Sequence, residues 1–86
     1  MSSFQGKHIL ITGGAGGIGL LMAQHIHSLD PAAITLWDVN EKALQQAGDQ
    51  FHDASRLTTQ CVDIANADQI YTQAEAVLES IGPVDI

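Results

Sequence analysis

The sequence is short of positive charge. Lys7, Lys42 and Arg56 are its only lysines and arginines, against ten acids, and the formal net charge is −7. A chain with no basic patch offers no electrostatic footprint for a polyanion, so a nucleic-acid partner is excluded. A small phosphate ligand is not, because oriented backbone amides can hold one. Cysteine is nearly absent too: Cys61 stands alone, which rules out an internal disulfide and suits a reducing compartment. It is expected to be a small buried hydrophobe on a strand. No apolar run approaches the roughly 20 residues needed to span a bilayer, and Met1 to Lys7 lacks the cationic-then-apolar pattern of a secretion signal. These absences predict a soluble cytoplasmic protein with no membrane partner.

Glycine, by contrast, is concentrated in one place. Ile9-Leu10-Ile11-Thr12 is a short run of β type, and five glycines follow it within Gly13-Gly14-Ala15-Gly16-Gly17-Ile18-Gly19. Each glycine costs roughly 0.5–1 kcal/mol against alanine inside a regular element, so the cluster forfeits a few kcal/mol. A helix-period pattern starts directly afterwards. Strand, glycine turn and helix start together form the layout that binds phosphate, with exposed N–H groups and the helix dipole holding the anion.

The rest of the chain repeats a strand–helix rhythm. His8 to Thr12 reads as the first strand, followed by a helix with apolar residues at Ile18, Leu21, Met22, Ile26 and Leu29, which Asp30-Pro31 ends. Ile34 to Trp37 is a second strand ending at Asp38. Asn40 is the expected N-cap of a second helix with inner residues Leu44, Ala47, Gly48 and Phe51. A third strand runs from about Thr58 to Val62. Asn66 with Gln69 resembles a capping box for a third helix that buries Ile70, Ala74, Val77, Leu78 and Ile81. Gly82-Pro83 stops that helix, and Val84-Asp85-Ile86 opens a fourth strand. The order β-α-β-α-β-α-β implies an α/β fold with a parallel sheet. Right-handed crossovers give strand order 3-2-1-4, a Rossmann-type doubly wound sheet with a crevice above Gly13.

Two glycine registers overlap in that crevice. Gly14-Ala15-Gly16-Gly17-Ile18-Gly19 fits G-x-G-x-x-G, while Thr12-Gly13 with Gly17-Ile18-Gly19 fits T-G-x-x-x-G-x-G, and both stay open. Asp38 ends the next strand 19 residues after Gly19, where a carboxylate is expected to accept hydrogen bonds from an adenosine ribose. A 2′-phosphate there would meet repulsion of roughly 4 kcal/mol per unit charge at ~4 Å and an effective ε of ~20. No lysine or arginine lies nearby to offset it, so NAD is favoured over NADP. A P-loop is excluded because Leu20-Leu21 follows the glycines where a lysine is required. His8, His25, His27 and His52 lack metal-site spacing and are expected to be satisfied or solvated side chains.

Thr12-Gly13-Gly14-Ala15-Gly16-Gly17-Ile18-Gly19, Leu36-Trp37-Asp38-Val39-Asn40, Val62-Asp63-Ile64 and Gly82-Pro83-Val84-Asp85-Ile86 together resemble the N-terminal part of a short-chain dehydrogenase/reductase. The resemblance covers essentially the whole chain, so residues 1–86 would be a partial NAD(P)-binding domain, incomplete at its C-terminus. It implies an oxidoreductase that transfers hydride between nicotinamide and a small-molecule alcohol or carbonyl substrate, with a homo-oligomer expected for the complete protein. The Leu-Trp-Asp-Val-Asn wording is similar to a branch acting on retinoid and steroid alcohols. By the same resemblance Gly13, Gly17 and Gly19 form the dinucleotide loop, with Ala15 and Gly16 inside it and the Ile18 backbone on the pyrophosphate. Asp38 would bind the ribose, and Asp63 with Ile64 would border the adenine, Asp63 having the competing role of a turn acid capping a helix. The chain stops before the family's Asn-Asn-Ala-Gly segment, its serine and its Tyr-x-x-x-Lys, so no catalytic residue is expected here. Tyr71 does not fill that role, since Glu75 follows it four residues on. The alternatives are a non-catalytic nucleotide-binding polypeptide and an adenosylmethionine-dependent methyltransferase.

Overall fold

The computed structural model describes residues 4–51 and 54–86; Met1 to Ser3 and His52 lie outside the described residues. The elements are β1 (His8–Thr12), α1 (Gly17–His27), β2 (Ala33–Asp38), α2 (Glu41–Gly48), a single 3-10 turn (Ala54–Arg56), β3 (Leu57–Cys61) and α3 (Ala67–Ser80). β1, β2 and β3 form a parallel sheet in the order β1-β2-β3. Thr12 faces Trp37 across one pairing, and Asp38 faces Cys61 across the other. The glycine loop, Asp38 and the end of β3 therefore share one edge of the sheet.

On one face Ile9, Ile11, Ile34 and Leu36 pack with Ala23, Ile26, Leu44, Ala47 and Phe51 of α1, α2 and the turn beyond. α3 covers the other face, where Ala74 and Val77 share a groove with Leu10. Helices on both faces of a parallel sheet are the doubly wound arrangement expected from the element order.

The expected fourth strand is not a strand, although its residues take that place. Ile86 donates to the His8 carbonyl at 3.2 Å and accepts from the Leu10 amide at 3.0 Å, the slanted pair of a parallel bridge on the β1 edge away from β2. One such bridge is too short to count as a ladder. His8 clamps the same segment: its amide donates to Asp85 Oδ2 at 2.9 Å, and its buried ring lies between the Pro83 carbonyl at 3.2 Å and Thr35 Oγ1 at 2.8 Å.

Several further expectations are corrected. α1 ends at His27, short of Asp30-Pro31, because the Ser28 amide turns back to the His25 carbonyl and the Leu29 amide to the Ile26 carbonyl. Asp30 then takes a left-handed φ of 59°. The buried stripe of α1 is Ala23 and Ile26 with Leu20 packed alongside, whereas Ile18, Leu21 and Met22 are exposed. The start of α1 sits so close to the loop that a Cβ at Gly19 would meet the Gly13 carbonyl. β3 covers Leu57–Cys61 rather than Thr58 to Val62. Cys61 is exposed, since β3 is the outer strand and only its first residue, Leu57, packs on the core. In α3 Val77 alone is buried: Ala74 and Leu78 line an open groove beside Leu10, and Gln73 bonds Gln60 at 2.9 Å.

Candidate nucleotide-binding site

The loop between β1 and α1 shows why glycine is needed at some positions and merely present at others. Gly13 has φ 67° and Gly17 φ 55°, the left-handed region that L side chains enter at a cost of roughly 1–2 kcal/mol. A Cβ on Gly19 would overlap the carbonyl oxygen of Gly13. The three glycines of the T-G-x-x-x-G-x-G register thus each meet a backbone demand. Gly14 meets another, since its Cβ would stand 2.8 Å from Leu36 Cδ2. Gly16, at φ −163°, has nothing within 4 Å of its would-be Cβ, and the same open space faces Gly13 and Gly17.

That open side is where α1 begins. Its N-cap is Gly16, with no side-chain cap and no acid in the first turn. Among the described residues no protein acceptor takes the amides of Gly16, Gly17, Ile18 or Gly19, and the first bond from this turn runs from Leu20 to the Gly16 carbonyl at 3.3 Å. Uncapped amides and an unopposed dipole give this end partial positive charge. The space left by the missing Cβ atoms is open, and a helix start of this kind attracts an anion.

Asp38 stands at the rim and is built into the loop. Its Oδ2 accepts from the Ala15 amide at 3.2 Å, and its Oδ1 accepts from the Asn40 amide at 3.0 Å. The neighbouring Trp37 carbonyl accepts from Gly14 at 3.2 Å, and the Asp38 carbonyl accepts from Val62 at 2.9 Å. A carboxylate offers about four acceptor positions, so about two remain for other donors. Beside it lies a cleft of about 150 Å³ lined by Gly13, Trp37, Asp38, Val39, Val62 and Ile64, with no lysine or arginine in its wall.

Gly13, Asp38 and Ile64 are therefore brought to one cleft, with Ala15 tied to Asp38 and Gly16 to Gly19 at the adjoining helix start. Asp63 is not in the cleft wall. Its Oδ1 accepts from Ala65 at 2.9 Å, and its amide donates to Gln69 Oε1 at 2.9 Å. It shapes the turn before α3. Asn66 caps that helix by accepting from Gln69 at 3.2 Å, but the Gln69 side chain reaches Asp63 and leaves the reciprocal half of a capping box unmade. Trp37, Val39 and Val62 lie within the motifs Leu36 to Asn40 and Val62 to Ile64 but carry no site role in the sequence; the first two flank Asp38, and that adjacency was the available signal.

The geometry agrees with the likeness to known proteins. The family model described as short chain dehydrogenase matches residues 7–86. Human short-chain dehydrogenase/reductase 3 is 31% identical over 84 residues, covering 93% of this chain and 27% of that protein. Human estradiol 17-beta-dehydrogenase 11 is 34% identical over 85 residues, covering 98% of this chain and 28% of that protein. The chain thus spans between a quarter and a third of the length of the curated relatives it matches. Among solved structures, an NAD+-bound xylitol dehydrogenase superposes with a TM-score of 0.88 at 27% identity, covering 98% of this chain and 32% of its own. A short chain dehydrogenase/reductase from Burkholderia phymatum in complex with NAD gives 0.86 at 34% identity, covering 98% and 30%. This chain belongs to the short-chain dehydrogenase family, which sets the methyltransferase alternative aside.

Proposed function

We propose that this member of the short-chain dehydrogenase family binds NAD across the glycine loop and the Asp38 cleft, as the cofactor-binding part of an oxidoreductase acting on a small-molecule alcohol or carbonyl. The observation that carries the reading is the pairing of an uncapped, side-chain-free helix start with a carboxylate anchored 3.2 Å from the Ala15 amide of the same loop. The amides of Gly16 to Gly19 would hold the diphosphate, and the open acceptor positions of Asp38 would take two ribose hydroxyls. Val39, Val62 and Ile64 would enclose the base in apolar surface. The dinucleotide supplies the hydride-carrying ring, and the role of these residues is to bind and orient it.

NAD is preferred to NADP, because Asp38 would repel a 2′-phosphate and no cation lines the cleft. Tyr71 is an exposed ring on α3, and Glu75, not a lysine, follows it four residues on. Titration calorimetry with NAD and NADP tests the reading: saturable binding of NAD, and weaker binding of NADP, is expected. No binding of either dinucleotide would overturn it.

A further inference from the structure

The face of the sheet beneath α3 carries a hydrogen-bond relay that ends at the cofactor cleft. The Trp37 indole donates from Nε1 to Gln60 Oε1 at 2.7 Å. Gln60 in turn donates from Nε2 to Gln73 Oε1 at 2.9 Å. The polarity is fixed, because an indole only donates, so Gln60 must present its oxygen to Trp37 and its amide hydrogens to α3. Trp37 is buried, faces Thr12 across one pairing and Gln60 across the other, and its carbonyl receives the Gly14 amide at 3.2 Å. It also lines the cleft beside Asp38. One residue thus joins α3, the end of β2 and the glycine loop.

We propose that Trp37 is a positioning residue for the adenosine half of the dinucleotide, held in place from α3 through Gln60 and Gln73. The proposal rests on the cofactor reading above. α3 buries only Val77, so apolar packing does little to fix its height against the sheet, and the directional Gln73–Gln60–Trp37 bonds supply what packing does not. Breaking the relay frees the end of β2, and the Trp37 carbonyl and the Asp38 carboxylate move with it. The amides of Gly16 to Gly19 bond neither group directly, so the disturbance reaches them only through Gly14 and Ala15 and is smaller there.

The test compares wild type with Gln60→Leu, Gln60→Glu and Gln73→Leu, measuring affinity for NAD, AMP and nicotinamide mononucleotide and the emission of Trp37, the single tryptophan. Gln60→Leu and Gln73→Leu should weaken NAD and AMP together by about threefold to tenfold, the span of one net hydrogen bond. Nicotinamide mononucleotide, which does not reach Asp38, should lose less affinity than AMP does. Gln60→Glu should bind as wild type does, since its oxygens accept from Trp37 and from a Gln73 amide turned over to donate. Trp37 emission should shift in Gln60→Leu and not in Gln60→Glu. Unchanged AMP affinity in both leucine variants, or equal losses in the leucine and glutamate variants at position 60, would overturn the relay. Failure of wild type itself to bind NAD would overturn the cofactor reading instead. Should Gln60→Leu lose its far-ultraviolet dichroism, Gln73→Leu carries the test, because it leaves the sheet untouched.

Discussion

Three glycine-to-alanine substitutions should separate close packing from ligand access. At Gly19 the added methyl lands on the Gly13 carbonyl, with the carbonyl carbon at 3.0 Å and the Gly14 Cα at 3.2 Å. These are backbone atoms, and no side-chain rotation can relieve the clash. α1 must lift off the loop, at about 1–3 kcal/mol of overpacking strain, and the amides at its start move with it. Losing one charge-assisted bond of roughly 1.5–3 kcal/mol weakens dinucleotide binding by about tenfold or more, so Gly19→Ala loses both stability and affinity. At Gly16 the backbone is extended and the space is open. The loss of a capping glycine and the gain from a less flexible unfolded chain oppose one another, each under about 1 kcal/mol. Gly16→Ala should therefore fold normally, yet put a methyl where the diphosphate approaches and lose affinity alone. Gly48, at the end of α2 with nothing within 4 Å, should gain up to about 1 kcal/mol as alanine and bind as wild type does. Urea unfolding and calorimetric titration of the three variants give the two readouts. Wild-type stability in Gly19→Ala would refute the close approach, and wild-type NAD affinity in Gly16→Ala would refute the phosphate cradle.

Asp38→Ser with Val39→Arg removes the repelling carboxylate and brings a cation to the cleft, and should move preference toward NADP; an unchanged ratio of NAD to NADP affinity would take Asp38 out of the ribose site. His8→Leu leaves the fully buried Thr35 hydroxyl and the Pro83 carbonyl without their ring partner, which should cost about 1–3 kcal/mol. Hydrogen exchange at the Leu10 and Ile86 amides, both bonded across that edge, should then accelerate, and wild-type protection would show that His8 does not hold the segment. The Arg56 guanidinium, hydrogen-bonded to Asp30 and adding its charge, lowers the Asp30 pKa below its ordinary 3.8. A depressed carboxylate contributes stability above its unfolded pKa and loses it as pH falls through the folded value. The pH-dependent part of the difference between wild type and Arg56→Gln should therefore be present at neutral pH and vanish under acid, and should shrink with salt because the pair is exposed. A difference that grows on acidification would reverse the assignment.

The parts of the fold that sequence revealed are those where a residue type answers a local demand. Asn40 caps α2 by accepting from Ala43 at 3.0 Å, Leu44 and Ala47 face the core, and a glycine run after Thr12 opens a helix, as their chemistry dictates. Asp38 was legible because a strand ended on it, although its bond to Ala15 was not, since that contact joins residues 23 apart. The inner face of α1 was legible only in part, at Ile26, which is buried. Apolar periodicity weighs large side chains, and Ile18, Leu21 and Met22 outweigh the small residues that lie against the sheet. Yet Gly19, Ala23 and Ile26 recur at helical spacing, and the Gly19–Gly13 approach sets how α1 is rotated. Once that contact is made, the larger residues are turned outward, and Ile18 is 77% exposed. The α3 face hid differently, because glutamine at positions 60 and 73 carries no periodic signal and gains meaning only when β3 and α3 are brought together. Both errors have one physical source. A pattern of hydrophobicity records how much surface each residue can bury, whereas helix placement around this site is decided by close backbone approach on one face and by directional hydrogen bonds on the other.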